Sequence, residues 1–151
     1  MPRPLRRIAA VAVFVTLVAV AFALPATAGG RPYDTALTGA AERPTPGDPD
    51  ATGAAHVTVN PGTREVCWSV HVENVDLPLV AAHIHSGISS VAGPPVIFLI
   101  PAGETDADGV LNGCATVTRS LAFGLLLSPG EFYVNVHTAL FPAGAARGQL
   151  G

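Results

Sequence analysis

The residues equipped for chemistry lie in two short segments. In Ala82-His83-Ile84-His85-Ser86-Gly87 the histidines stand two positions apart, so in a strand both imidazoles leave the same face. In Phe132-Tyr133-Val134-Asn135-Val136-His137-Thr138, Tyr133, Asn135 and His137 share one face and Phe132, Val134 and Val136 the other. If these strands are neighbours, His83, His85 and His137 converge, with Tyr133, Asn135 and Arg147 as the surrounding shell. Three neutral imidazoles with no cysteine in reach suit Cu(II) or Zn(II), and the ordering of divalent-metal affinities favours copper. An open fourth position would admit water or an oxidant, with Arg147 drawing in an anion. The competing reading is structural: the imidazoles hydrogen-bond backbone carbonyls, Asn135 or Arg147 and lock a sheet edge. His-x-His spacing alone does not specify a metal, so the structural reading is preferred, the cofactor stays unknown, and copper is the metal to test.

The other chemistry-bearing residues point to less. His56 and His71 alternate with Val57/Val59 and Val70/Val72, which places them on the outward, solvent face of their strands. Glu104-Thr105-Asp106-Ala107-Asp108-Gly109 resembles part of a calcium loop without its terminal bidentate glutamate, and reads as a turn. There is no G-x-S-x-G elbow and no phosphate-cradling glycine loop, so hydrolase and nucleotide chemistry have little support and no catalytic residue is assigned.

The elements that must position the histidines are strands. Short alternating runs occur at 33–39, 55–59, 64–75, 79–85, 95–100, 110–118, 131–138 and 145–150, separated by Pro, Gly and Asp clusters. About eight short strands with turns between them predict an all-β, antiparallel, immunoglobulin-like or superoxide-dismutase-like β-sandwich. Residues 40–53, rich in Pro, Gly and Asp, read as a surface loop. Residues 120–127 break the alternation and predict a short helical turn, capped by Ser120, that packs Leu121, Leu125 and Leu126 over one end of the sandwich.

The N-terminus sets the expected compartment. Three arginines within residues 1–7, an apolar run at 8–24 and Ala26-Thr27-Ala28 read as a secretory signal peptide, residues 1–28, cleaved near Ala28. An uncleaved anchor is the rival reading, since the run sits at the lower edge of the roughly 17–25 residues that span a bilayer; Pro25 and the A-x-A ending favour cleavage. Arg6-Arg7 is read as ordinary n-region charge, with the export route open. No later stretch is apolar enough to form a membrane span in the mature chain. That chain, residues 29–151, has no lysine and an acidic balance, which disfavours nucleic acid. It also lacks the basic stripe or aromatic row that would bind an acidic or sugar polymer. The two cysteines, Cys67 and Cys114, survive cleavage and read as a disulfide between the polar faces of neighbouring strands.

Taken in order, Leu37-Thr38-Gly39-Ala40, Gly53-Ala54-Ala55, Ala82-His83-Ile84-His85-Ser86-Gly87, Gly93-Pro94-Pro95-Val96-Ile97, the 132–138 segment, Pro142-Ala143-Gly144 and Arg147-Gly148-Gln149-Leu150 resemble the CHRD domain family. That module is repeated in chordin and occurs singly in secreted bacterial proteins. The resemblance implies one domain, 29–151, with an extracytoplasmic β-sandwich fold and a largely undefined activity; growth-factor antagonism by chordin does not transfer to a single module. Family members commonly carry an acidic and an aliphatic residue before the arginine, where Ala145-Ala146 stand here, so an acid that pairs with Arg147 or a histidine is missing from that position. The His-x-His strand is also similar to copper/zinc superoxide dismutase, but the paired site of that enzyme needs more histidines than the five present. The sequence therefore supports a secreted, non-catalytic binding or structural module with an unknown extracellular or envelope partner. The alternative is a mononuclear copper-binding, redox-active protein built on the three histidines.

Overall fold

A computed structural model of the chain describes residues 29–151; the expected signal peptide, 1–28, lies outside the described residues. The chain forms eight strands: β1 (Arg31–Thr38), β2 (Thr52–Asn60), β3 (Glu65–Glu73), β4 (Ala81–Ser86), β5 (Pro95–Phe98), β6 (Val110–Thr116), β7 (Phe132–His137) and β8 (Ala146–Gln149), with one helix, α1 (Arg119–Leu127). Each expected alternating run overlaps one of them, and every named pairing is antiparallel. The order is β5-β4-β7-β8-β1-β2-β3-β6 in one sheet. Within the sheet its halves meet at the Thr38–Arg147 register of β1 and β8. The two edges approach each other, since Val96–Phe98 of β5 and Ala115–Thr118 at the end of β6 line a common cleft, and the sheet comes close to closing as a barrel.

Alternation fills the interior. Val57, Val59, Val66, Val70, Ile84, Val134 and Val136 are fully buried, with Leu37, Leu79, Leu111 and Trp68 completing the core. The alternate positions on β2 and β3 carry His56, Ser69 and His71 to the surface. Cys67 stands opposite Cys114 across β3 and β6, and the two form the expected disulfide with Cα atoms 4.0 Å apart. By closing a loop with a sequence separation of 47, it removes freedom from the unfolded chain, stabilising by about 2–4 kcal/mol. A disulfide fits an oxidising, extracytoplasmic setting, and among the described residues no helix is long and apolar enough to cross a membrane.

Three expectations need correction. The helix cap is Thr118, whose hydroxyl accepts the Leu121 N–H at 3.2 Å; Ser120 is inside the helix, its hydroxyl 3.1 Å from that of Thr118. The helix buries Leu125, with Ala122, and packs half-buried Leu121 against the core as expected, whereas half-buried Leu126 does not join it. The 40–53 segment is indeed a loop for much of its length, but not a purely surface one. Glu42, Asp48 and Ala51 are buried, because the segment folds back on β8, the Asp48 N–H donating to the Ala145 carbonyl at 2.9 Å.

Candidate metal centre

The site is built on one face of β4, β7 and β8. Register places His83 beside Asn135 and Asn135 beside Arg147, with His85 beside Tyr133 and Tyr133 beside Gln149 in the next row, and His137 beside Ala81 in the row on the other side. The opposite face of these strands is the apolar core. The site face is roofed by three loop segments, 39–48, 87–94 and 138–145, which is why every residue of β7 is buried on both sides. Gly93 permits this close approach: a Cβ there would run into the Ser86 carbonyl.

His83, His85 and His137 come together as the strand parity anticipates. One nitrogen from each lies within 4.8 Å of the others. The His85 Nδ1–H donates to the Gly93 carbonyl at 2.7 Å, and the His137 Nδ1–H donates to the Pro142 carbonyl at 3.1 Å. A carbonyl only accepts, so these bonds set the tautomer and leave each Nε2 with a lone pair. The Nε2 of His85 is buried with no hydrogen-bond partner. The Nε2 of His137 lies 3.2 Å from His83 Nδ1 and 3.1 Å from Asn135 Oδ1. Burial lowers the pKa of all three rings; neighbouring imidazoles lower those of His83 and His137 further and the Arg147 charge lowers that of His85, and His83 falls to about 4. At neutral pH the cluster is three uncharged imidazoles, the form that ligates metal.

The surrounding residues behave differently from one another. Tyr133 stacks on His85, centroids 4.8 Å apart and planes 11° from parallel, while its hydroxyl accepts the Gly93 N–H at 3.1 Å. Arg147 lies over the other face of Tyr133, 3.4 Å from the ring centre. It donates to the Ile88 and Val91 carbonyls, each at 2.9 Å, and to Gln149 Oε1 at 3.0 Å. With 1% of its surface exposed and its guanidinium so engaged, Arg147 is a clamp for the 87–94 loop. It is not the anion receptor expected from sequence. His83 is the open side of the cluster: half-buried, it meets the exposed Phe98 ring edge-on at 5.0 Å.

Glu42 is the residue that sequence reading missed. Its carboxyl is 2% exposed, with Oε1 buried and unpartnered. Burial raises its pKa, against the opposing pull of the Arg43 N–H, the Asn135 amide and the Arg147 charge. The carboxyl packs on Gly144, where φ is +141° and a Cβ would collide with it. The Glu42 carboxyl and the Arg147 guanidinium influence each other electrostatically. Nothing in the local pattern of a Pro/Gly-rich loop signals a buried carboxyl.

The remaining residues do not join this site. His56 and His71 are exposed, His56 Nδ1 lying 2.7 Å from Asp34 and His71 Nε2 3.8 Å from Glu73. Cys67, Cys114 and Glu65 also lie together, but the sulfurs are committed to the disulfide and offer no thiolate. Asp106 Oδ1 accepts the Asp108 and Gly109 N–H groups at 3.3 and 2.7 Å, a turn as expected.

An antiparallel all-β domain with a histidine cluster under a loop roof is the class that fold and site define. The CHRD domain profile matches residues 33–150, nearly the whole described chain, and the protein belongs to the CHRD domain family. No curated protein and no solved structure matches it.

Proposed function

We propose that this protein is an extracytoplasmic, non-catalytic binding module whose ligand is a single transition-metal ion, held by His83, His85 and His137. The observation that carries this reading is the buried, unpartnered Nε2 of His85, on a ring clustered with two other imidazoles while its Nδ1 is fixed on the Gly93 carbonyl. A purely structural histidine in that position would leave a polar atom without compensation, at a cost of about 1–3 kcal/mol; a cation removes that cost. The backbone carbonyls behind His85 and His137 are the second contacts that metal-ligating histidines ordinarily make. Three uncharged nitrogen donors without thiolate suit Cu(II) ahead of Zn(II), and His83, on the open side, is the route by which an ion or an exchange partner arrives. Export by the 1–28 segment, cleaved near Ala28, belongs to the same reading, and the disulfide is consistent with it.

Copper titration of the chain from Gly29, with the disulfide formed, tests this. One tight equivalent with nitrogen hyperfine structure in the electron paramagnetic resonance spectrum, lost in His83→Ala and in His137→Ala, is the expected result. Weak binding that neither substitution alters would return the histidines to a structural role and direct the search to extracellular partners.

A further inference from the structure

The three imidazoles of the cluster are not held alike. His85 and His137 are each tied through Nδ1 to a backbone carbonyl, Gly93 at 2.7 Å and Pro142 at 3.1 Å, so neither ring can turn without giving up a hydrogen bond to the backbone. His83 has no such anchor. The one hydrogen bond of its ring among the described residues joins Nδ1 to His137 Nε2, at 3.2 Å. A single hydrogen lies between the two nitrogens, because two facing lone pairs or two facing N–H groups would repel. Whichever ring carries it, His137 Nε2 has no lone pair to give an ion while that contact stands. The rest of the His83 ring is bounded by other rings. It meets Phe98 edge-on at 5.0 Å, His85 at 5.2 Å and His137 at 5.0 Å. Phe98 stands opposite His83 in register on β5, an outermost strand of the sheet, and is 55% exposed.

We infer that His83 is a latch on this site: its hydrogen bond to His137 closes the cluster, an ion enters onto His85 and His137 when the His83 ring turns outward, and His83 is the last ligand to join and the first to leave. Phe98 is the positioning residue that holds the ring over the mouth. This rests on the metal-binding reading and goes beyond it in giving the order of ligation and the residue that sets the rate of exchange. The Nε2 of His85 is unpartnered and available at once, whereas that of His137 becomes available only when His83 leaves it. Of the three rings, His83 alone can turn without breaking a bond to the backbone. Turning costs it the edge contact with Phe98, once before the ion arrives and again before the ion departs. Phe98 therefore governs both rates. It leaves the affinity nearly unchanged, because the affinity depends on the difference between the two closed states and the contact is present in each.

The test follows Cu(II) uptake by stopped-flow absorbance, Cu(II) release to excess EDTA, the equilibrium affinity and the metal-free unfolding midpoint, for the wild type, Phe98→Ala and Phe98→Tyr. Uptake by the wild type should level off as copper is raised, at the rate of latch opening. Phe98→Ala should raise that plateau and the release rate together, each by about 2- to 10-fold, the weight of one edge-to-face aromatic pair, with the affinity within about 2-fold of wild type. Phe98→Tyr, which keeps the ring, should return both rates to wild-type values. Wild-type uptake that stays proportional to copper, or a plateau and release rate that Phe98→Ala does not move, overturns the inference and leaves the three-histidine site standing. A fall in affinity in Phe98→Ala in step with a lowered unfolding midpoint also overturns it, because that makes Phe98 a packing residue. Absence of one-equivalent binding by the wild type overturns the metal reading itself, and this inference with it.

Discussion

Two groups of histidines occupy comparable positions in their strands and meet opposite fates. His56 and His71, on β2 and β3, alternate with apolar residues just as His83, His85 and His137 do on β4 and β7. The first pair looks outward, exposed, each beside a carboxylate. The second group looks onto a face covered by three loop segments, and its ring nitrogens meet other imidazoles, a carboxamide and backbone carbonyls. Parity within a strand determines which residues share a face, but what lies over that face determines their chemistry. An exposed imidazole beside a carboxylate has water and charge to satisfy it. A buried imidazole beside two others must shed its charge, and then presents a lone pair that asks for a cation.

The sharpest way to break this difference is to remove the clamp that holds the roof. Arg147 bonds two loop carbonyls and Gln149 and stacks on Tyr133. Arg147→Met keeps much of the side-chain volume and strands the Ile88 and Val91 carbonyls, for an expected loss of about 3 kcal/mol. Denaturant unfolding of the metal-free protein measures it. Because the same loop carries the Gly93 carbonyl behind His85, copper affinity should fall with it. Arg147→Lys, which keeps the charge but cannot fork to two carbonyls, should recover only part of either. If Arg147→Met leaves both stability and copper binding at wild-type levels, the roof does not depend on its clamp.

How far the sequence carried this picture follows from which interactions are local. Alternation over a few residues located all eight strands and put Tyr133, Asn135 and His137 on one face, and the polar parity of Cys67 and Cys114 anticipated their bond. The partners that set the tautomers were not legible. The Gly93 and Pro142 carbonyls are backbone atoms, which every residue possesses, and only the path of the chain brings these two into place. Glu42 was hidden for a related reason: Pro and Gly around it correctly denote a loop, but loop composition says nothing of whether the loop lies on water or folds back over a polar face. The Arg147 error has the same origin, since an arginine's role depends on whether neighbouring carbonyls have already consumed its donors.

Acid should expose the difference next. Burial places the folded-state pKa of His83 at about 4, below the ordinary histidine value of 6.5, and lowers those of His85 and His137 as well. A lowered histidine pKa means the unfolded chain binds more protons, so this contribution to stability is present above pH 6.5 and is lost as pH falls toward about 4. Glu42 opposes the trend near the bottom of that window, because its raised pKa makes the folded state the better proton acceptor there. The metal-free unfolding midpoint should therefore decline from pH 6.5 toward 4, and His83→Gln should flatten the decline. An unchanged slope in His83→Gln would mean that the cluster does not carry the acid sensitivity.

The smallest effect is expected on the outer face, and it completes the contrast. His56 Nδ1 meets Asp34 at 2.7 Å and its Nε2 lies 3.2 Å from the Thr58 hydroxyl, so by distance alone this is the best-formed histidine–carboxylate pair among the described residues. Its side chains are nevertheless half or more exposed, and water competes for each contact it makes. An exposed ion pair contributes at most about 1 kcal/mol. His56→Ala should thus shift the unfolding free energy by less than that and leave the one-equivalent copper spectrum untouched. Loss of that spectrum in His56→Ala would place the metal on the outer face and sink the distinction between the two groups, since burial, not hydrogen-bond length, is what separates a ligand-forming imidazole from a solvated one here.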